Sequence, residues 1–372
     1  MAAQVLREQA SADQRPGEDS GLEVPIAKTT GEVIALAKHY VESCYLGTPG
    51  FRGAHLVGSI IHSDRNALFP TYRDVDIAIV LDRVEYQEIE EVEQEGYVLE
   101  CILSSSARYA SADAILALPG MACNLERNSV LVDPDGYLTD IHRRVAAEFS
   151  ARRWVKIRTE DGVRCARSAL DAMRQAANPA EAVHTLGEFI MHCSESITVA
   201  HLNPPTHRRT LANLKALLST PEELALYEEI LTAFGVERIS EHEARLFLDQ
   251  CLQAFDRAIE VKRSPVPFEW KLDPCIRDYL KRGTLEMIEE GAHRESLFWI
   301  ALFFMISTLA IQQDGTPEER PIYGARLMHF LQALGLESPT AIEKRIQLCS
   351  ELLGKVDGYV DRFVATSPAL KD

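Results

Sequence analysis

Residues His55 to Leu81 read HLVGSIIHSDRNALFPTYRDVDIAIVL. An apolar strand runs into Gly58-Ser59, and Asp74-Val75-Asp76 opens a second strand. Residues two apart on a strand share a face, so Asp74 and Asp76 project together while Val75, Ile77, Ile79 and Leu81 point the opposite way. Two carboxylates at the start of a strand form a hard-oxygen clamp that suits Mg²⁺, which takes one or two protein carboxylates and completes its shell with water and phosphate oxygens. Gly58 lets backbone approach a phosphate, and the Ser59 hydroxyl with the first N–H groups of a following helix can donate to it.

A third element extends the pattern. Gly96 to Leu103, GYVLECIL, is strand-like, and Glu100 interrupts it with Val98 and Ile102 on its own face. A carboxylate buried there is unfavourable without a partner. If this strand lies beside the Asp74 strand, Glu100 completes a three-carboxylate cluster able to hold two metals, one on the triphosphate and one on the attacking oxygen.

Gly58-Ser59, then Asp74-Val75-Asp76, then the later Glu100 resembles the nucleotidyltransferase superfamily that shares the DNA polymerase beta fold. In order and spacing it is most similar to the kanamycin nucleotidyltransferase type of antibiotic nucleotidyltransferases. In that family a segment like VLVDPDGYLTDIHR, Val130 to Arg143, follows the third carboxylate and leads into a helical second domain. The likeness covers roughly residues 30 to 150. It implies Asp74, Asp76 and Glu100 as catalytic metal ligands for two Mg²⁺ ions, and Gly58, Ser59 and Arg65 as contacts to the nucleotide. The implied reaction moves a nucleoside monophosphate, AMP from ATP or its counterpart from another nucleoside triphosphate, to a hydroxyl of a small, aminoglycoside-like acceptor, with pyrophosphate leaving. The alternatives are a nucleotide-sensing or partner-binding protein with a degenerate site, and an enzyme that modifies protein or tRNA. One departure stands out: Ile60 to Arg73 separate Ser59 from Asp74 by more than the family's usual interval. Either this loop carries an insertion or Asp64 joins the site.

Composition narrows the classes. The 372 residues are enough for two domains. Net charge is −17, from 39 Lys and Arg against 56 Asp and Glu, and the excess is heaviest in the first 150 residues. Nucleic-acid binding needs a basic stripe, and none is evident, so DNA or tRNA is disfavoured while a cationic small molecule would be drawn to an acidic cleft. Part of the acidity lies in Glu85 to Gly96, EYQEIEEVEQEG, which reads as a solvated helix or loop face. No apolar leader follows the start, residues 1–22 read as a disordered tail, and a cytoplasmic location is expected. The longest apolar run, Leu297 to Ile311, is short for a membrane span and reads as a buried helix. The eight cysteines have no regular spacing and read as reduced, mostly buried thiols.

The pattern predicts an α+β chain: a nucleotidyltransferase domain over 23–147 with a small mixed sheet flanked by helices, then an all-α bundle over 148–372, with two lobes divided near 264. Strands are expected near 54–57, 75–81, 97–103 and 129–132, and helices over 30–43 and 112–118. The helical part divides into 146–176, 179–201, 206–218, 221–234, 240–261, 273–290, 293–312, 320–335 and 339–364. Asp133-Pro134-Asp135-Gly136 is turn chemistry, so Asp133 reads as a turn former. His184, Glu188, His192 and Glu195 form a polar stripe on one helix, where Glu188 or Glu195 is a candidate general base, as is Asp171 on the preceding helix. The plain alternative for the stripe is a solvated face with intrahelical pairs. Arg208 and Arg209 are expected to give a helix a basic first turn against its dipole, which makes Arg208 or Arg209 a candidate for triphosphate or for a neighbouring acidic element. Phe298, Trp299, Phe303 and Phe304 read as core or as a homodimer interface.

Overall fold

The computed structural model describes residues 27–84, 89–176 and 178–372, so the tail expected over 1–22 lies outside the described residues. The chain is α+β: a mixed five-stranded sheet with helices comes first, and a largely helical region follows. Two compact units divide it, one of Met1–Ala110 with Asn128–Ile141, the other of Ser111–Arg127 with His142–Asp372.

In the first unit, α1 (Thr30–Cys44) opens with a capping box, the Thr29 hydroxyl accepting from the Glu32 amide and the Glu32 carboxylate accepting from the Thr29 amide at 2.7 Å. Strands β1 (Phe51–Leu56), β2 (Val75–Leu81), β3 (Ile89–Gln94), β4 (Tyr97–Ser105) and β5 (Val130–Val132) lie in the order β3-β4-β2-β1-β5. β2 runs parallel to β4, and the other pairs are antiparallel. Val33, Ile34, Ala37 and Val41 of α1 form one core with Val75, Ile77, Ile79, Leu99 and Cys101. Each branched side chain buried there contributes roughly 1.5–3 kcal/mol. A one-residue slip of β2 would exchange them for Asp76, so the apolar set fixes which face the carboxylates take.

β3 is the element the sequence pattern misses. The stretch read as a solvated helix or loop contains a strand, joined to β4 by the two-residue turn Glu95-Gly96, whose φ values are +50° and +81°. Two left-handed residues are what a tight hairpin needs to match strand twist.

The long loop after Ser59 is an ordered strap. The Thr30 and Gly31 amides at the start of α1 donate to the Ala67 and Arg65 carbonyls at 2.8 and 2.9 Å, and the Phe69 amide donates to the Lys28 carbonyl. The strap thereby satisfies helix N–H groups that no intrahelical carbonyl reaches.

The second unit contains α2 (Ala112–Leu116) and α3 (Pro119–Leu125), reached before β5, and the helices α5 (Arg152–Gln175), α6 (Pro179–Ala200), α7 (Thr210–Leu217), α8 (Pro221–Phe234), α9 (Glu241–Val261), α10 (Ile276–Glu289), α11 (His293–Asp314), α12 (Glu319–Ala333) and α13 (Pro339–Thr366). α4 (Tyr137–Glu148) leads from the sheet into them. The single helix expected over 146–176 is broken between α4 and α5, where the Lys371 amide and carbonyl bond to Ser150 and Arg152. α11 is the one described helix long and apolar enough to cross a membrane, and most of that window is buried in the helical core, with Trp299, Phe303 and Phe304 inside. All eight cysteines are free thiols.

Candidate metal centre

Asp76 on β2 stands beside Glu100 on β4 in parallel register, and Asp74 immediately precedes β2. The carboxylate oxygens of Asp74, Asp76 and Glu100 all lie within 4.8 Å of one another. Their backbones are aimed this way because Val75, Ile77, Leu99 and Cys101 go to the α1 core, leaving the alternate residues on the other face. Glu100 is only 8% exposed. Unit negative charges this close repel by about 3 kcal/mol per pair at an effective dielectric near 20, which makes the trio a natural seat for hard cations.

Gly58 completes the trio's surroundings. Its φ is +74°, and a β-carbon there would stand 2.8 Å from Asp76 Oδ2. The Val57 amide donates to the Asp76 carbonyl at 2.8 Å, fixing the end of β1 against the start of β2. Only glycine satisfies both the left-handed backbone and the approach of the carboxylate. The helix expected after Ser59 is a five-residue 3-10 turn, Gly58–His62, and Ser59 is exposed on it. So the contribution expected from an α-helix N-terminus falls away, leaving the backbone turn and the Ser59 hydroxyl.

His55, the first residue of the deciding stretch, carried no functional signal in the sequence. It pairs with Ala78 across β1 and β2, which puts it on the carboxylate face one step along from Asp76. Its Nδ1 lies 2.8 Å from the Leu56 carbonyl, an acceptor only, so Nδ1 carries the proton and Nε2 accepts from the Tyr109 hydroxyl at 2.9 Å. Burial lowers its pKa to about 4, against a smaller upward pull from the Leu56 carbonyl, and burial pushes Tyr109 up to about 12. A neutral imidazole on the carboxylate face of the sheet is thus hydrogen-bonded to a neutral phenol.

The other candidates are dispersed. Asp64 is exposed and accepts from the Asn66 amide at 3.0 Å, a turn-forming role, and Arg65 is exposed beside it. Asp133 caps α4, accepting from the Leu138 and Thr139 amides and the Thr139 hydroxyl. In the helical unit Asp171 pairs with Arg174, Glu188 with His184 at 3.6 Å, and Glu195 with His192 at 3.2 Å, so the polar stripe bonds along its own helix. Arg208 and Arg209 precede α7 instead of forming its first turn. Arg209 is the N-cap and bonds Glu290 at 2.6 Å, and Arg208 is buried over the Tyr279 ring. The basic pair therefore meets a neighbouring acidic helix.

Missing from the sequence reading was Glu91. It stands opposite Glu100 in the β3–β4 hairpin, and a signal for it existed in the Glu95-Gly96 turn, which sets the register.

No protein-family model matches the sequence, and no curated protein matches it. Among solved structures the chain is similar to a nucleotidyltransferase-like protein from Exiguobacterium sibiricum 255-15, with 12% identity and a TM-score of 0.31 over 84% of this chain and 91% of that one.

Proposed function

We propose that this protein transfers a nucleoside monophosphate from a nucleoside triphosphate, ATP in the first instance, to a hydroxyl of a small polar acceptor, releasing pyrophosphate. The observation that supports it is the convergence of Asp74, Asp76 and Glu100 within 4.8 Å, beside a left-handed glycine that touches Asp76. Asp74 and Asp76 would hold the cation that accompanies the nucleotide, and Asp76 with Glu100 a second. Bound there, Mg²⁺ supplies neutralisation of phosphate charge and orientation of the reacting oxygens. Gly58 leaves room for phosphate oxygens against the backbone, and Ser59 offers a hydroxyl donor beside it. Glu100, buried on a central strand, keeps its carboxylate in place without a reorganisation step. The net charge of −17 favours a cationic acceptor over a nucleic acid.

The test is Mg²⁺-dependent pyrophosphate release from ATP, GTP, CTP and UTP, with water alone and with a panel of aminoglycosides and other polyhydroxylated amines. Acceptor-stimulated release that disappears in Asp76→Asn is the expected result. Nucleotide binding with no release under any condition would make the chain a nucleotide-binding protein instead.

A further inference from the structure

Building on nucleotidyl transfer at this centre, we infer that Glu91 is the carboxylate that receives the acceptor's hydroxyl proton. Three features place it. First, Glu91 pairs directly with Glu100 across β3 and β4, as Glu100 pairs with Asp76 across β4 and β2. Second, its face is fixed independently: the preceding Glu90 accepts from the Tyr45 hydroxyl at 2.7 Å, on the α1 side of the sheet where Tyr45 belongs to the core. Alternation then puts Glu91 on the side of the metal carboxylates. Third, the strand order β3-β4-β2-β1 arrays Glu91, Glu100, Asp76 and Gly58 in that sequence across one face.

That order gives the reaction a direction. Phosphoryl transfer is in line, with attacking and leaving oxygens on opposite sides of the phosphorus. If Gly58 and Ser59 hold the departing pyrophosphate at the β1 side, the attacking oxygen arrives from the far side of Asp76 and Glu100. Glu91 is the next carboxylate in that direction. Glu91 shares the sheet that positions Asp76 and Glu100.

The acceptor O–H bond breaks and its proton passes to the Glu91 carboxylate. The freed electron pair forms the new bond from oxygen to the α-phosphorus. The bond from that phosphorus to the bridging oxygen breaks, and its electrons leave with pyrophosphate. The Glu91 proton then goes to water.

The deciding experiment compares wild type, Glu91→Gln, Glu91→Asp and Asp76→Asn in two measurements. One is calorimetric binding of Mn²⁺ with a non-hydrolysable ATP analogue; the other is pyrophosphate release from MgATP with the best acceptor of the panel, or with water alone. Glu91→Gln should bind metal and nucleotide as wild type does and lose about 10²- to 10⁴-fold in kcat, with little change in acceptor KM and partial recovery in Glu91→Asp. Asp76→Asn should lose binding itself. Unchanged kcat in Glu91→Gln with an active wild type would overturn the role of Glu91 alone. Lost metal binding in Glu91→Gln would make it a ligand and overturn it too. A wild type that releases no pyrophosphate would remove the transfer reaction and this role together.

Discussion

A β-carbon on Gly58 would stand 2.8 Å from Oδ2 of Asp76. The absent side chain lets the turn after β1 close against a carboxylate of the trio. Gly58→Ala should destabilise the protein by about 1–2 kcal/mol through the left-handed backbone alone. It should also push the Asp76 carboxylate out of the trio. Urea unfolding and pyrophosphate release should therefore both fall, activity the more steeply. An alanine variant of reduced stability but full activity would show that the trio does not depend on this close approach.

Three carboxylates within 4.8 Å repel one another, and a cation bound among them relieves that repulsion. Asp76→Asn should lose at least about 10²-fold in turnover. Adding Mg²⁺ should raise the melting temperature of wild type, by binding to the native state, and leave the variant nearly where it was. Differential scanning fluorimetry in EDTA and in Mg²⁺ reads both effects. Equal Mg²⁺ responses would place the ion elsewhere.

His55 gives the fold a pH dependence whose sign follows from its burial. The native imidazole stays neutral down to about 4, while in the unfolded chain it takes up a proton near 6.5. The unfolded state thus binds more protons between these values, so stability is fully present above pH 6.5 and declines as pH falls toward 4. The loss reaches up to about 3 kcal/mol at roughly 1.36 kcal/mol per pH unit. Chemical denaturation from pH 7.5 to 4.5 should show it, and His55→Gln should flatten that part of the profile. A slope that persists in the variant would assign it to other groups.

Arg158 ties the end of α2 to Phe149 within the helical unit. Its guanidinium is 1% exposed, lies over the Phe149 ring, and donates to the Leu116 and Phe149 carbonyls at 2.9 and 2.7 Å. Arg158→Met should leave both carbonyls without this donor and destabilise by about 2–4 kcal/mol. Arg158→Lys should not rescue it, because a single ammonium cannot span two carbonyls as a planar fork does. Thermal unfolding of the two variants checks this, and a stable lysine variant would argue against the bidentate role.

Much of this was legible in the sequence for a physical reason. Where one face of a strand is apolar, alternation fixes the other, so Val75, Ile77 and Ile79 announced the direction of Asp76 before any fold was known. Pairing of the β2 and β4 strands, needed to bring in Glu100, was an explicit condition, and the register meets it. β3 escaped because its glutamates on both faces erase the alternation. Its strand character comes from pairing with β4 and from the Tyr45 bond to Glu90, which are tertiary facts. Helix boundaries slipped where backbone groups found distant partners, as at Ser150 with Lys371.

The position of β3 at the end of the strand order carries a further consequence. An outermost strand leaves a row of amides and carbonyls on which another chain could add itself, and proteins commonly guard such rims with charge. Glu93, exposed on β3, supplies that charge here. β3 thus divides its glutamates: the exposed Glu93 guards the rim against adhering to other copies, while Glu91, with one carboxylate oxygen buried, is the one proposed to take a proton.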